Sequence, residues 1–291
     1  LPMSYSYGLS IINTHLLNGA AVILTEASLM DRIFWEEIRK QEATTFGGVP
    51  YTYEMLDKLR FNLMDIPSIN YLTQAGGKLD LTLAKKFADI CVNNNIKFYV
   101  MYGQTEATSR MSYLPWEMAQ SKSGSIGKAI PGGKFYIIDK NNKKINSPKK
   151  TGELVYKGKN VCMGYAKNIN DLSKDDQNKG FLKTGDIAYR DENNFYYLVG
   201  RKDRYIKIYG MRINLDELEE IILRFGVESM CIEESENKIL IFIKNFNKLN
   251  SLKNHLVFLT NFHPSTFILK VIKEFPLNKN FKLSYKRKLL K

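Results

Sequence analysis

The 291-residue sequence predicts an α/β layer, then an antiparallel β-rich stretch, then a small α+β unit. Three observations carry this reading. Strand-like and helix-like segments alternate over the first hundred residues, as in a largely parallel sheet covered by helices. From about residue 120, short strand-like pieces are separated by Gly, Asn and Lys turns. After Gly200 a charged stretch, Arg201-Lys202-Asp203-Arg204, precedes a fresh run of strands and helices. The boundaries follow: a large domain over 1–202 (1–119 α/β, 120–202 β-rich) and a small one over 203–291.

The elements follow in order. Ala20 to Thr25 reads as a short buried strand. Asp31 to Gln41 is helical, with Ile33, Phe34 and Ile38 at helical spacing. Thr44 to Val49 is a strand running into Gly47-Gly48-Val49-Pro50, and Tyr51 to Leu59 is a helix. Tyr71 to Ala75 is a strand before Gly76-Gly77. Leu81 to Val92 is a helix and Phe98 to Met101 a strand. In such sheets ligands sit at the carboxyl ends of strands, where Gly76-Gly77 and Gly103 lie. Phe135 to Asp139, Glu153 to Lys157 and Tyr196 to Val199 are the strands of the β-rich stretch. Beyond it, Tyr205 to Tyr209 is a strand, and Asn214-Leu215-Asp216-Glu217 opens a helix with an Asx cap and Glu three residues on. Strands near Met230, over Lys238 to Lys244 and over Phe267 to Glu274, with a helix near Leu249 to Leu256, complete the small unit.

Composition narrows the classes. Apolar residues are 44% and charged residues 25%, which excludes a wholly disordered or fibrous chain. No apolar run is long enough to span a bilayer. Cys91, Cys162 and Cys231 form no CxxC pair, so a disulfide framework or zinc ribbon is not expected and a reducing, cytoplasmic setting is. The chain begins Leu1-Pro2-Met3 with no visible secretory leader. Its net charge of +13 is uneven: residues 238–291 hold 12 Lys or Arg against one acid, Glu274. Such a tail suits phosphorylated cofactors, an acidic partner or simply a solvated surface. No RNP-type motif, zinc finger or Arg-rich stretch supports nucleic acid.

The densest chemical signal is Met101-Tyr102-Gly103-Gln104-Thr105-Glu106-Ala107-Thr108, directly after a strand. An aromatic can stack on a base, Thr can bond a phosphate oxygen, and Glu can hold Mg²⁺. This segment resembles the Y-G-x-T-E signature of the adenylate-forming superfamily, the acyl-CoA synthetases, aryl-CoA ligases and adenylation domains of peptide synthetases. Gly152-Glu153-Leu154 with Gly158, Gly164 and Tyr165 is similar to its G-E-L…G…GY segment. Lys183-Thr184-Gly185-Asp186 is similar to its TGD motif, and Gly200 to Ile213 to its G-R-x-D-x-x-I-K-x-x-G-x-R-I hinge motif. Pro276-Leu277-Asn278-Lys279-Asn280-Phe281-Lys282 resembles its terminal P-x-x-x-x-G-K motif. The motifs stand in the family's order from Pro2 to Lys288.

The resemblance implies the rear of the family's large N-terminal domain followed by its small mobile C-terminal domain. It implies ATP-dependent activation of a small carboxylic acid to an acyl-adenylate, then transfer to the thiol of CoA or of a carrier protein's phosphopantetheine. Lys282 matches the Lys that bridges carboxylate and α-phosphate, Thr105 a phosphate contact, and Glu106 the Mg²⁺ carboxylate. Gly76, Gly77, Lys78, Tyr102, Gly103 and Gln104 match the nucleotide site. Within it Tyr102 stacks on adenine, Asp186 accepts the ribose hydroxyls and Arg201 lies near the ribose. Asp203 matches the pivot of the small domain, and Lys207, Gly210 and Arg212 its thioester-forming face. Tyr5, Gly48, Val49 and Pro50 match the acyl pocket. Taken singly, each has an ordinary reading as a surface charge, a turn residue or a core aromatic.

Amino-acid-activating relatives carry an Asp in the segment Ser4 to Leu9 to pair the substrate ammonium. This stretch has no acid, so an acid without an α-amino group is expected. Two departures stand out. Phe281 replaces the Gly before Lys282, costing roughly 1–3 kcal/mol if that position needs φ > 0. The family's Gly-rich phosphate loop, which lies upstream of residue 1, is also missing, and the chain reads as the C-terminal part of a longer enzyme, inactive alone. The alternatives are an amino-acid-activating adenylation domain, an inactive remnant, or a basic binding module on residues 238–291.

Overall fold

The computed structural model describes residues 1–209, 211–244 and 249–276. The chain divides into two compact units, Leu1–Thr184 with Ala188–Leu198, and Gly185–Ile187 with Val199 onward.

The first unit opens with α1 (Ser6–Leu17) and α2 (Arg32–Lys40). The run β1 (Thr45–Gly48), α3 (Pro50–Lys58), β2 (Tyr71–Gln74), α4 (Leu81–Asn93), β3 (Lys97–Tyr102) follows. Strands β1, β2 and β3 are parallel, in register Thr45↔Tyr71 and Leu72↔Phe98. Parallel neighbours require crossovers, which α3 and α4 supply. The local chemistry explains both helices. Pro50 sits in the first turn of α3, where its missing N–H costs nothing. The Asp80 carboxylate caps α4 by accepting from the Leu83 N–H at 3.0 Å. Ala84, Phe87, Ala88 and Cys91 recur along one face of α4 and are all buried. They pack with Trp35, Ile38, Tyr53, Leu56, Leu72 and Phe98 into one core. Each large side chain buried there contributes about 1.5–3 kcal/mol.

Strands β4 (Ser112–Leu114), β5 (Ser125–Ala129), β6 (Lys134–Ile138), β7 (Gly152–Lys157), β8 (Phe181–Arg190) and β9 (Tyr196–Arg201) follow. With the first three they form a nine-stranded sheet, β1-β2-β3-β4-β5-β9-β8-β7-β6. The pairs β3–β4, β4–β5 and β5–β9 are antiparallel. The parallel layer and the β-rich stretch are therefore two ends of one mixed sheet. A second core, including Met111, Phe135, Leu154 and Tyr156, covers its antiparallel end.

In the second unit β10 (Tyr205–Ile208) and β11 (Met211–Asn214) form a hairpin. Helix α5 (Leu215–Arg224) is capped by the Asn214 side chain, which accepts from the Asp216 N–H at 2.9 Å. Strands β12 (Ser229–Ser235) and β13 (Lys238–Lys244) pair antiparallel, α6 (Leu249–Thr260) follows, and β14 (Phe267–Ile272) pairs parallel to β13. Ile206, Ile208, Leu218, Ile222, Ile241, Leu252 and Phe267 share its core.

One expected element is corrected. Ala20–Thr25 is not a strand, and five of its six residues are exposed. Its apolar run suits a strand, but β1 is the terminal strand of the sheet, and nothing among the described residues pairs with β1's outer edge. An unpaired strand leaves its backbone N–H and C=O groups to water. Helix α1 and strands β4, β5, β8 and β11 are structure that sequence patterning did not single out. No helix among the described residues is long and apolar enough to cross a membrane.

Candidate active site

The carboxyl ends of β1, β2 and β3 bring together most of the residues singled out in the first unit. Strand β1 ends in Gly48, with Val49 and Pro50 turning into α3. Strand β2 ends at Gln74 and passes through Ala75 to Gly76-Gly77. Gly76 has φ +84°, and a Cβ there would lie 2.6 Å from the Tyr5 hydroxyl and 3.0 Å from Val49 Cγ1. A Cβ on Gly77 would lie 3.0 Å from Pro50 Cγ. Tyr5, Val49, Pro50 and the two glycines are thus one packed group, with Lys78 exposed beside it. Buried Gln74 ties the turn down, donating from Nε2 to the Gly77 carbonyl at 2.9 Å.

Beneath this group lies Tyr7, 2% exposed, which sequence reading did not single out. Its hydroxyl donates to the Thr73 carbonyl at 3.0 Å and lies 2.7 Å from Thr73 Oγ1. Tyr53 donates to the same carbonyl at 2.9 Å. Burial pushes the Tyr7 phenol well above its ordinary value, opposed by the Thr73 bond and the Arg110 charge.

Strand β3 delivers Tyr102 and the loop to β4. Tyr102 is 9% exposed and packs 6.2 Å from Phe135, ring centre to ring centre. Gly103 faces the returning chain so closely that a Cβ would lie 2.0 Å from the Ser109 carbonyl oxygen. Gln104 donates from Nε2 to the Thr184 carbonyl at 2.8 Å. A single 3-10 turn, Thr105–Ala107, follows. Thr105 Oγ1 lies 3.1 Å from Ser6 Oγ at the start of α1, so the loop and the Tyr5 segment meet.

The Glu106 carboxylate accepts from the Tyr165 hydroxyl at 2.5 Å, and its backbone carbonyl accepts from the Cys162 N–H at 2.8 Å. Tyr165 is 70% exposed, and the bond to Glu106 is the chief cause that pushes its phenol up to about 12. Asn160 donates to the carbonyls of Ala107 at 2.8 Å and Arg110 at 3.2 Å, and accepts from buried Tyr156 at 2.9 Å. The G-E-L…GY segment therefore braces the Y-G-x-T-E loop. Their motif spacing alone did not reveal that contact.

In the second unit Asp186 is buried, and its Oδ1 lies 3.4 Å from Arg201 Nη1. Arg201 Nε lies 3.2 Å from Asp203 Oδ1, and its backbone N–H donates to Asp216 Oδ2 at 3.1 Å. Buried Arg204, which sequence reading left without a role, donates to Asp216 Oδ1 at 2.7 Å, to the Cys231 carbonyl at 2.6 Å and to Glu219. Burial outweighs the Arg204 charge and pushes the Glu219 carboxyl up to about 7. Lys207 is exposed on β10, opposite Arg212 of β11 in the backbone register. Gly210, the Arg212 side chain, and Lys282 with all of its terminal motif after Pro276 lie outside the described residues.

Comparison with known proteins gives this arrangement a family. Residues 1–166 match the family model described as AMP-binding enzyme. The chain is 28% identical to the peroxisomal OPC-8:0-CoA ligase 1 of Arabidopsis thaliana over 227 residues, covering 77% of the chain and 41% of that protein. It is 31% identical to the 2-succinylbenzoate–CoA ligase of Bacillus licheniformis over 227 residues, covering 77% of the chain and 45% of that protein. The chain spans less than half the length of these curated relatives. The fold matches the O-succinylbenzoate coenzyme A synthetase of Bacillus subtilis in complex with AMP, at TM-score 0.77 and 23% identity, over 97% of this chain and 58% of that one. The same synthetase with ATP and magnesium ion matches at TM-score 0.74 and 23% identity, over 97% and 59%. With more than half its length matched by the family model, and with mixed α/β architecture in common with these structures, the chain belongs to the AMP-binding enzymes, the adenylate-forming superfamily of the acyl-CoA synthetases.

Proposed function

We propose that this chain carries acid-binding and nucleotide-binding parts of an AMP-forming ligase that joins a small carboxylic acid to the thiol of CoA. The observation that carries the reading is the convergence of Tyr5, Val49, Pro50, Gly76, Gly77 and Thr105 where three parallel strands end. Curated relatives named as CoA ligases support CoA as the acceptor.

The reaction has two steps. A carboxylate oxygen of the acid attacks the α-phosphorus of ATP, and pyrophosphate leaves. The thiol sulfur then attacks the acyl carbon, and AMP leaves. In the first step two anions must meet, so positive groups and aligned donors dominate catalysis. Gly76 and Gly77 offer bare backbone at the strand end, and a side chain at Gly76 would run into the Tyr5 hydroxyl and Val49. We assign Tyr102 to the adenine, Gln104 and Thr105 to polar contacts with the nucleotide, and Asp186 with Arg201 to the ribose. Lys282 is assigned to the carboxylate and α-phosphate, and Asp203 to the pivot between the two steps.

The donor set also fits magnesium. Among the described residues there is no group of three or more His, Cys, Asp or Glu that could hold a metal by itself. A Glu106 carboxylate acting with substrate phosphate oxygens is how Mg²⁺ is commonly held. Bound there, Mg²⁺ supplies neutralisation of phosphate charge. Tyr165 holds Oε1 of Glu106, and Oε2 would be the oxygen to meet the ion.

Pyrophosphate exchange by the natural protein carrying this chain, run with a panel of acids, tests the proposal. Acid-dependent exchange without CoA, followed by CoA-dependent release of AMP, is expected. Exchange stimulated by amino acids but not by acids lacking an amino group would show that the segment Ser4 to Leu9 is misread. A protein that binds ATP but gives no acid-dependent exchange would end the reading.

A further inference from the structure

The loop that carries Thr105 and Glu106 ends in a cation that the proposed chemistry does not use. Arg110 is half-buried, and its Nε is fully buried with no hydrogen-bond partner among the described residues. The arginines after Gly200 in the second unit differ. Arg201 meets Asp186 and Asp203, and Arg204 meets Asp216 and Glu219. A buried guanidinium N–H with no acceptor is costly, and an anionic group reaching Arg110 would supply one.

The backbone is built to hold Arg110 in place. The two residues before it, Thr108 and Ser109, have φ +57° and +66°, the left-handed region that a β-branched Thr rarely enters. Asn160 holds the Arg110 carbonyl, and Gly103 leaves no room beside the Arg110 nitrogen, where a Cβ would lie 2.8 Å away. Strained backbone held by its surroundings is a mark of a functional position.

Its charge acts on the Tyr7 phenol, below the strand-end glycines rather than level with them. Tyr7 bonds Thr73, three residues before Gly76 and so roughly 10 Å deeper along an extended chain. A Cβ on Gly47 would lie 2.7 Å from the Tyr7 hydroxyl, which puts that hydroxyl against the wall leading to Gly48 and Val49. The reacting carboxylate belongs at the mouth, with Gly76 and Thr105. A cation set deeper meets the far end of the acid.

We propose that the acid carries a second anionic group, a distal carboxylate, and that Arg110 receives it. The substrate class is then a dicarboxylic acid, and Arg110 determines specificity without touching the reacting atoms. This rests on the acid-activating reading above.

The test is pyrophosphate exchange by the natural protein with acids matched in length, butyrate against succinate and hexanoate against adipate, with benzoate against phthalate. The dicarboxylate of at least one pair should be preferred in kcat/KM by on the order of 100-fold. Arg110→Gln should lower that ratio by a similar factor, and Arg110→Lys should keep part of it. The ratio is the informative readout, since a purely structural Arg110 would lower both members of a pair together. If Arg110→Gln does not fold, the wild-type ratio and Arg110→Lys still decide the matter. Preference for the monocarboxylate in every pair overturns the inference and leaves acid activation standing. So does a ratio unchanged in Arg110→Gln. Absence of exchange with any acid, in a protein that binds ATP, removes both.

Discussion

Replacing Gly76 by Ala tests whether the strand-end turn is as tightly built as it looks. The perturbation is one methyl group. At φ +84° an L-residue is strained by about 1–2 kcal/mol relative to Gly. The new Cβ would also lie 2.6 Å from the Tyr5 hydroxyl and 3.0 Å from Val49 Cγ1. The Tyr5 hydroxyl must move and Val49 must give slightly, which costs about 1–3 kcal/mol more. The expected loss is roughly 2–5 kcal/mol, or a fall in Tm of about 4–20 °C for a unit of this size. Tyr5 should give way first, because Val49 is buried and Tyr5 is only half-buried. The double variant Gly76→Ala with Tyr5→Phe removes the clashing oxygen and should recover part of the loss, leaving the backbone term. Thermal unfolding measures stability, and calorimetric titration with ATP measures the nucleotide site. Nucleotide affinity should fall in both variants, because the strained turn shifts the backbone that we assign to the nucleotide. A Gly76→Ala protein with wild-type Tm and wild-type ATP affinity would refute both the steric argument and the placing of the nucleotide.

Three further outcomes follow from the bracing around Glu106 and from the second unit. Tyr165→Phe removes a 2.5 Å bond from an exposed ring, so stability should change by less than about 1 kcal/mol. Affinity for Mn²⁺ in the presence of ATP, read by paramagnetic resonance, should fall about 10-fold if the bond orients a metal-binding carboxylate. Asn160→Ala strands the buried Tyr156 hydroxyl and frees the Ala107 and Arg110 carbonyls. Unfolding should register a loss of about 2–3 kcal/mol. Glu219 titrates at about 7 in the folded chain against 4.5 ordinarily. Folded protein therefore binds that proton more tightly, and its stabilisation is full below about pH 4.5 and is lost as pH rises through about 7. The difference is on the order of 3 kcal/mol. Glu219→Gln should flatten that window. The Cys231 amide, which donates to Glu219 at 2.6 Å, reports it through hydrogen exchange, and an unchanged pH dependence in the variant would contradict the assignment.

Much of this architecture was legible because its signals are local and periodic. Helix α4 shows apolar residues every three or four positions behind an Asp cap, and α5 follows an Asn cap. The strand-end glycines announce close approaches that the structure then displays at Gly76 and Gly103. What was not legible depends on partners distant in sequence. Ala20–Thr25 has the composition of a strand, yet strand formation is decided by a neighbour, and β1 offers its outer edge to none of the described residues. Helix α1 has Leu9, Leu16 and Leu17 exposed and only Tyr7 and Gly8 buried, so no clear apolar stripe marks it. Tyr165 and Asn160 stand more than fifty residues from Glu106 and Ala107, and only the folded chain brings them together.

The polar groups of the two units show two ways of settling a buried charge. In the second unit Arg204 spreads its donors over Asp216, Glu219 and the Cys231 carbonyl, while the same Asp216 also accepts from the Arg201 backbone. These partners come from within that unit, so the network ties the charged stretch after Gly200 to α5 and β12. Breaking one member would leave the others buried and unpaired, at about 3–5 kcal/mol. Arg110 has the same chemistry and a rigid backbone, but its Nε is left unmatched. A network of ion pairs and hydrogen bonds of this kind specifies structure. A cation held in place and left unmatched, at the deep end of a group of residues that meet at strand ends, instead awaits a ligand.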